Sequence, residues 1–77
     1  MTKTTHTNDD GVASSVRAEL ARRQTQQAQI AELLGLSEAA VSRRVNGFVP
    51  FRADEVRKIA DFLDVPLTSL LPAKAQA

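Results

Sequence analysis

Apolar residues recur at helical spacing in five separate stretches of the chain, and polar residues fill the positions between them. The stripes are Val12, Val16 and Leu20; Ile30, Ala31 and Leu34; Val41 and Val45; Val56, Ile59, Ala60 and Leu63; and Leu67, Leu70 and Leu71. Nowhere do apolar and polar residues alternate strictly, as a half-buried strand requires. The pattern therefore predicts an all-α fold, a compact bundle of five short helices.

Helix boundaries follow from the residues that flank these stripes. The first helix is expected from about residue 10 or 11 to Arg23, the second from about residue 26 to Leu34, and the third from Glu38 to about Asn46. The fourth opens with Asp54 and Glu55, where acidic side chains suit a helix N-terminus, and the fifth is a short final turn. Pro50 disfavours helix in the loop that precedes the fourth helix, and the two phenylalanines of that loop, Phe48 and Phe51, are expected to close the core.

The second and third helices are predicted to meet at a tight turn. Gly35 can take a positive φ just after a helix, where a residue with a Cβ is penalised. Ser37 can cap the next helix, and Ala31 is small where that helix would pass close by. The pattern is typical of a helix-turn-helix, in which the second helix presents its outward face to a DNA major groove.

Composition limits the chain to one small domain. It has 77 residues, 43% of them hydrophobic, with no cysteine and a single histidine, His6. We expect residues 1–11 to be a disordered arm, residues 12–71 the folded domain and residues 72–77 a flexible tail. Nothing in the sequence suggests a metal, cofactor or small-molecule ligand, and no targeting or membrane-spanning segment is evident, so a cytoplasmic, nucleoid-associated protein is expected.

Charge is distributed unevenly, although the net charge is only +1. Residues 12–52 carry a balance of +3, whereas the segments before and after them are each at −1. The arginines of this middle segment are Arg17, Arg22, Arg23, Arg43, Arg44 and Arg52. Such residues can simply solvate an exposed face, but their position around the predicted turn also suits contact with phosphates.

Residues 12–71 resemble the Cro/repressor type of helix-turn-helix domain, the lambda repressor-like fold of phage repressors and small bacterial regulators. The residues that carry the resemblance are Gln27, Ala31, Gly35, Ser37 and Val41, the run from Ser42 to Gly47, and the run from Ile59 to Leu71. A correctly placed fourth and fifth helix makes this match more specific than the turn alone.

Three departures from that pattern stand out. Thr25 and Gln26 replace an apolar residue and a Ser or Thr cap, so the start of the second helix could shift by one residue, or the helix could lack its usual staple. Arg44 stands where a large apolar residue is common; either its stem lies over the core with its head at the surface, or it binds a phosphate. Asp64 replaces a helix-ending glycine, at small cost because Asp tolerates left-handed geometry.

The resemblance implies base contacts from the third helix. Arg43 could donate two N–H groups to guanine, Glu38 could accept from cytosine N4, and Ala39 could meet a thymine methyl group. Two of these residues have an alternative: a phosphate contact for Arg43, and a favourable position at the helix N-terminus for Glu38.

The resemblance also implies contacts to the DNA backbone. Gln27, at the start of the second helix, resembles a glutamine that binds phosphate, although it lies in a glutamine-rich stretch and could simply be solvated. The other backbone candidates are Ser37, Ser42, Arg44, Asn46, Arg17, Arg23 and Arg52.

The function that the resemblance implies is that of a sequence-specific regulator of transcription, a repressor that binds a double-stranded operator as a homodimer. Four apolar residues in a short C-terminal stretch suggest the dimer interface, because a small core would leave some of them exposed: Val65, Leu67, Leu70 and Leu71. No catalytic constellation can be assembled, so an enzyme is not expected. A protein-interaction module, such as an antitoxin or partner-docking domain, is the alternative.

Overall fold

The computed structural model describes residues 11–71. All secondary-structure elements in this part of the chain are helices. Four α-helices follow one another: α1 (Val12–Arg22), α2 (Gln27–Leu34), α3 (Glu38–Val45) and α4 (Ala53–Leu63). A 3-10 helix, Leu67–Leu70, ends the fold. The predicted all-α bundle is confirmed, with the difference that its fifth member is a single 3-10 turn. Within residues 11–71 no helix is long and apolar enough to cross a membrane.

The helix boundaries agree with the sequence pattern to within one residue in α1, α2 and α3. Helix α2 begins at Gln27 and Gln26 is its N-cap, so the start lies one residue after the expected position. The side chain of Gln29 replaces the missing Ser or Thr cap, because its Oε1 accepts from the backbone N–H of Gln26 at 2.9 Å. The predicted N-terminal arm, apart from Gly11, and the predicted C-terminal tail lie outside the described residues.

The core draws on every helix. Its most deeply buried side chains are at most 2% exposed: Val16, Ile30, Val41, Val45, Ile59 and Leu70. They come from α1, α2, α3, α4 and the 3-10 turn, so each element contributes at least one fully buried residue. Since each element is short, most of its stability comes from packing rather than from its own helix propensity.

Only one of the two phenylalanines in the loop between α3 and α4 packs against the core. Phe51 packs against the core as predicted, but Phe48 is 78% exposed. Gly47, with φ of 84°, turns the chain away from the helix. The backbone N–H of Phe48 then donates to the carbonyl of Arg43 at 2.8 Å. Phe48 is therefore tied by its backbone while its ring lies outside the core.

The C-terminal segment is better buried than its composition suggests. Leu70 is 0% exposed, because the 3-10 turn folds it into the core, so its side chain offers no surface to the predicted dimer interface. Val65, Leu67 and Leu71 are half-buried. Asp64 adopts the predicted left-handed conformation, with φ of 58°, at the end of α4.

Candidate nucleic-acid interface

The turn between α2 and α3 has the geometry that its sequence predicts. Gly35 has φ of 70° and ψ of 33°. The backbone N–H of Leu36 donates to the carbonyl of Ala31 at 2.9 Å. A Cβ at Gly35 would meet no atom within 4 Å, so glycine is needed here for its backbone conformation and not for space. The side chain of Ser37 caps α3, since its Oγ accepts from the N–H of Ala40 at 3.1 Å.

Helix α3 has one buried face and one exposed face. Val41 and Val45, one turn apart, are 0% and 2% exposed and hold the helix against the core. Elsewhere on the helix Glu38, Ala39 and Arg43 are exposed, as is the C-cap Asn46, whereas Ser42 is half-buried. All three residues predicted to contact bases are therefore exposed on one helix.

Arg43 differs from the other arginines near the turn in the contacts that its guanidinium makes. Its side chain is exposed and makes no hydrogen bond or ion pair within residues 11–71. Its backbone carbonyl accepts from the N–H groups of Phe48 and Val49, at 2.8 and 3.2 Å, so the backbone of Arg43 is anchored while its guanidinium has no partner in the described part of the chain. A guanidinium in this state loses no internal partner when it binds an external acceptor.

The C-terminal end of α3 is held by α1. Arg17 donates from Nη1 to the carbonyl of Val45 at 2.7 Å, which satisfies one of the free carbonyls of the last turn and places positive charge at the negative end of the helix dipole. Asn46 turns back on the same helix, and its Nδ2 donates to the carbonyl and the Oγ of Ser42, at 2.9 and 3.2 Å.

A second arginine of α1 reaches the end of α4. Arg23 donates from Nε to the carbonyl of Leu63 at 3.2 Å and from Nη1 to Glu19 at 2.8 Å. Glu19 is 9% exposed and also accepts from Arg22 at 2.6 Å. Arg17 and Arg23, both predicted to bind phosphates, thus also serve as C-terminal caps of two other helices.

Arg44 lies between α3 and α4. Its Nε donates to Oε1 of Glu55 at 3.1 Å, and its Nη1 donates to the carbonyl of Ala40 at 3.2 Å. The side chains of Arg44 and Glu55 are only 16% and 10% exposed. Of the two interpretations left open by the sequence, this position agrees with a stem that packs on the domain. The phosphate contact of Arg44 stays a prediction.

Three predicted backbone contacts lie at helix starts. Gln27 is the first residue of α2 and is half-buried, whereas Ser37 is the exposed N-cap of α3. Arg52 is the N-cap of α4, and its exposed side chain pairs with Asp54 at 3.1 Å. Helix starts suit anions because their free N–H groups point outward.

Sequence reasoning missed the pairing of Glu55 and the exposed cations of α4. Glu55 was interpreted only as an acid that suits a helix N-terminus, but it is 7% exposed and pairs with Arg44. The unusual arginine at position 44 was the available signal, because a buried guanidinium requires an acid near it. Arg57 and Lys58 were not singled out; both are exposed on α4, with no partner among the described residues.

The fold and the exposed face of α3 define a small all-helical domain. The model of the BetR domain family matches residues 9–77, and the chain therefore belongs to that family of small helical domains. Comparisons with curated proteins and with solved structures found no match.

Proposed function

We propose that the chain is a sequence-specific double-stranded DNA-binding regulator of transcription, acting as a repressor, which inserts α3 into the major groove of its operator. One observation carries the proposal: α3 exposes Glu38, Ala39 and an Arg43 that has no partner among residues 11–71, and both ends of this helix are held. A helix with fixed ends and a polar outward face suits base readout.

The polar and charged side chains around α3 support the same proposal. The side chains of Gln27 and Ser37 lie at the starts of the two helices that form the turn, where contacts to phosphate are favourable. Arg17, Arg23 and Arg52 make internal contacts, yet a guanidinium has five donors and can add a phosphate to its partners. Ser42 and Asn46 complete the proposed backbone contacts.

We extend the proposal to a homodimer on a two-fold operator. A single module this small makes few contacts, and two copies would double them. Since Leu70 is in the core, the interface would use the half-buried residues beside it, Val65, Leu67 and Leu71.

The test is binding to duplex DNA across a range of salt concentrations, after enrichment of bound fragments from a random pool. We expect one enriched sequence with internal two-fold symmetry. The logarithm of the affinity should fall linearly with the logarithm of the salt concentration, by about 0.9 for each phosphate contact. A chain that enriches no sequence, or whose affinity ignores salt, contradicts the proposal.

A matched control is available on α4. Arg57 resembles Arg43 in being an exposed arginine with no partner among residues 11–71, but it lies outside the proposed interface. Arg43→Ala and Arg57→Ala change the net charge equally. Only Arg43→Ala should lower the preference for the enriched sequence over random DNA.

A partner-docking function is the second candidate, and the exposure of two aromatic rings favours it. Phe48 is 78% exposed and Phe62 is 46% exposed, and exposed aromatic side chains are common anchors of protein interfaces. Under this alternative, Phe48→Ser would abolish capture of a partner protein, and duplex DNA would bind weakly and without sequence preference.

A further inference from the structure

The carboxylate of Glu55 joins two helices through one oxygen. Oε1 accepts from Nε of Arg44 in α3 at 3.1 Å and from the backbone N–H of Arg52, the N-cap of α4, at 2.9 Å. Glu55 is 7% exposed, so these bonds are shielded from solvent. In such surroundings a charged acceptor holds its donors more strongly than at the surface.

The other end of this link lies within α3 itself. Nη1 of Arg44 donates to the carbonyl of Ala40, one turn earlier, at 3.2 Å. The guanidinium is thereby fixed both to its own helix and to α4. Hydrogen bonds depend on direction, whereas the apolar contacts of Val41 and Val45 do not, so the link restrains rotation of α3 about its axis in a way that packing alone does not.

Resting on the DNA-binding function proposed above, we propose that Arg44 and Glu55 are positioning residues of the interface: their ion pair sets the orientation in which α3 presents Arg43 to bases. Arg44 follows Arg43 directly in the helix, so the same backbone carries the tethered side chain and the free one. In this role Arg44 acts on DNA through α3, as an alternative to the phosphate contact that the sequence predicts for it.

The test uses a double variant that removes the link without changing the net charge, Arg44→Met with Glu55→Gln. Affinities are measured for the enriched duplex and for a random duplex, across salt concentrations, at a temperature where circular dichroism shows parent and variant fully folded. We expect the affinity for the enriched duplex to fall on the order of tenfold. The affinity for random DNA and the salt slope should match those of the parent.

The two rival roles of Arg44 give different results. If Arg44 binds a phosphate, the double variant loses affinity for both duplexes alike and the slope falls by about 0.9. If the pair serves stability alone, the melting temperature falls while the folded variant binds both duplexes as the parent does. Either result overturns the inference.

Single variants keep the inference testable if the double variant does not fold. Glu55→Gln retains an oxygen that can accept from both donors, so it should keep most of the sequence preference. Arg44→Lys retains the charge but offers a single nitrogen where Arg44 uses two, one for Glu55 and one for Ala40, so it should lose that preference with an unchanged slope. Parental preference in Arg44→Lys contradicts the inference. A parent that shows no preference for any duplex refutes the proposed function itself, which is a distinct outcome.

Discussion

Among the arginines near the turn, Arg43 is distinguished by what its side chain does not contact. Its guanidinium has no partner within residues 11–71, whereas those of Arg17, Arg23, Arg44 and Arg52 are engaged by carbonyls or carboxylates. The number of arginines in the sequence is therefore larger than the number of guanidinium groups without an internal partner. Whether an arginine can bind an external acceptor at no internal cost depends on the residues around it.

Arg43→Ala and Gln27→Ala should weaken DNA binding in different ways. Loss of a base contact at Arg43 should cost about 1–3 kcal/mol on the preferred sequence and much less on random DNA. Loss of a phosphate contact at Gln27 should weaken both by a similar factor. Titrations of both variants on both duplexes measure this, and equal losses of preference would contradict the roles assigned here.

Substitutions at Gly35 should separate backbone strain from crowding. Because a Cβ there meets no atom within 4 Å, any cost arises from the positive φ of 70°. Gly35→Ala should lower the free energy of unfolding by about 1–2 kcal/mol, and Gly35→Asn by less, since Asn visits the left-handed region more readily. Denaturant titration gives the values; similar losses in both variants would mean that strain is not the cause.

Side chains cap both ends of the helices that form this site. Helix α3 has only eight residues and is capped by Ser37 at its start and by Arg17 at its end. Helix α4 is capped by Arg52 with Glu55 at its start and by Arg23 at its end. Each short helix therefore depends on side chains that neutralise its free backbone groups.

Ser37→Ala should destabilise the domain through the start of α3. The substitution leaves the N–H of Ala40 without its 3.1 Å acceptor, and the loss of such a cap typically costs about 1 kcal/mol. Thermal unfolding followed by circular dichroism measures the change. Ser37→Asp restores an acceptor and is the control; it should retain the parental melting temperature.

Asp64→Gly should stabilise the domain through the end of α4. Asp64 has φ of 58° and ψ of 48°, a conformation that glycine adopts without a Cβ penalty. We expect a gain of about 0.5–1 kcal/mol in the free energy of unfolding, with Asp64→Ala changing it in the opposite sense. A glycine variant less stable than the parent would show that the Asp side chain compensates for the strain.

At the scale of the whole molecule, the accessible apolar surface includes two aromatic rings and a half-buried C-terminal segment. Phe48 and Phe62 are the large exposed hydrophobic residues of residues 11–71. Leu67 is half-buried beside the core. A second copy that binds through the C-terminal segment would cover Leu67 and leave Phe48 and Phe62 to other contacts.

Leu67→Glu should therefore prevent dimerisation, with Phe62→Ser as the control that removes a different exposed hydrophobic residue. Sedimentation of both variants and the parent, with and without the enriched duplex, measures the effect. A dimer would place two recognition helices about 34 Å apart on one side of the DNA. A parent that is monomeric in both conditions, on a site without internal symmetry, would refute the dimer.

The sequence predicts those features of the molecule that depend on residues close together along the chain. The positive φ of Gly35, the cap at Ser37 and the left-handed Asp64 follow from local chemistry and are confirmed. The burial of Leu70 and the exposure of Phe48 depend on how the helices pack, and the expectation that Phe48 closes the core was wrong. The residues assigned to DNA stay predictions.

The arginine pairings were missed for the same reason. Arg17 reaches a carbonyl 28 residues away, Arg23 reaches one 40 residues away, and Arg44 reaches a carboxylate 11 residues away. No periodic pattern encodes such distances. A sequence shows where the cations are and not which acceptors the fold brings to them.

The bond between Arg17 and Val45 has a consequence for the motions of α3. An isolated helix of eight residues is marginal in water, so α3 would be expected to fray from its free end. Because that end is tied to α1 at 2.7 Å, fraying must break a contact between two helices. The amide protons of the last turn of α3 should consequently exchange with solvent only when the whole domain opens, at the rate of its most protected sites.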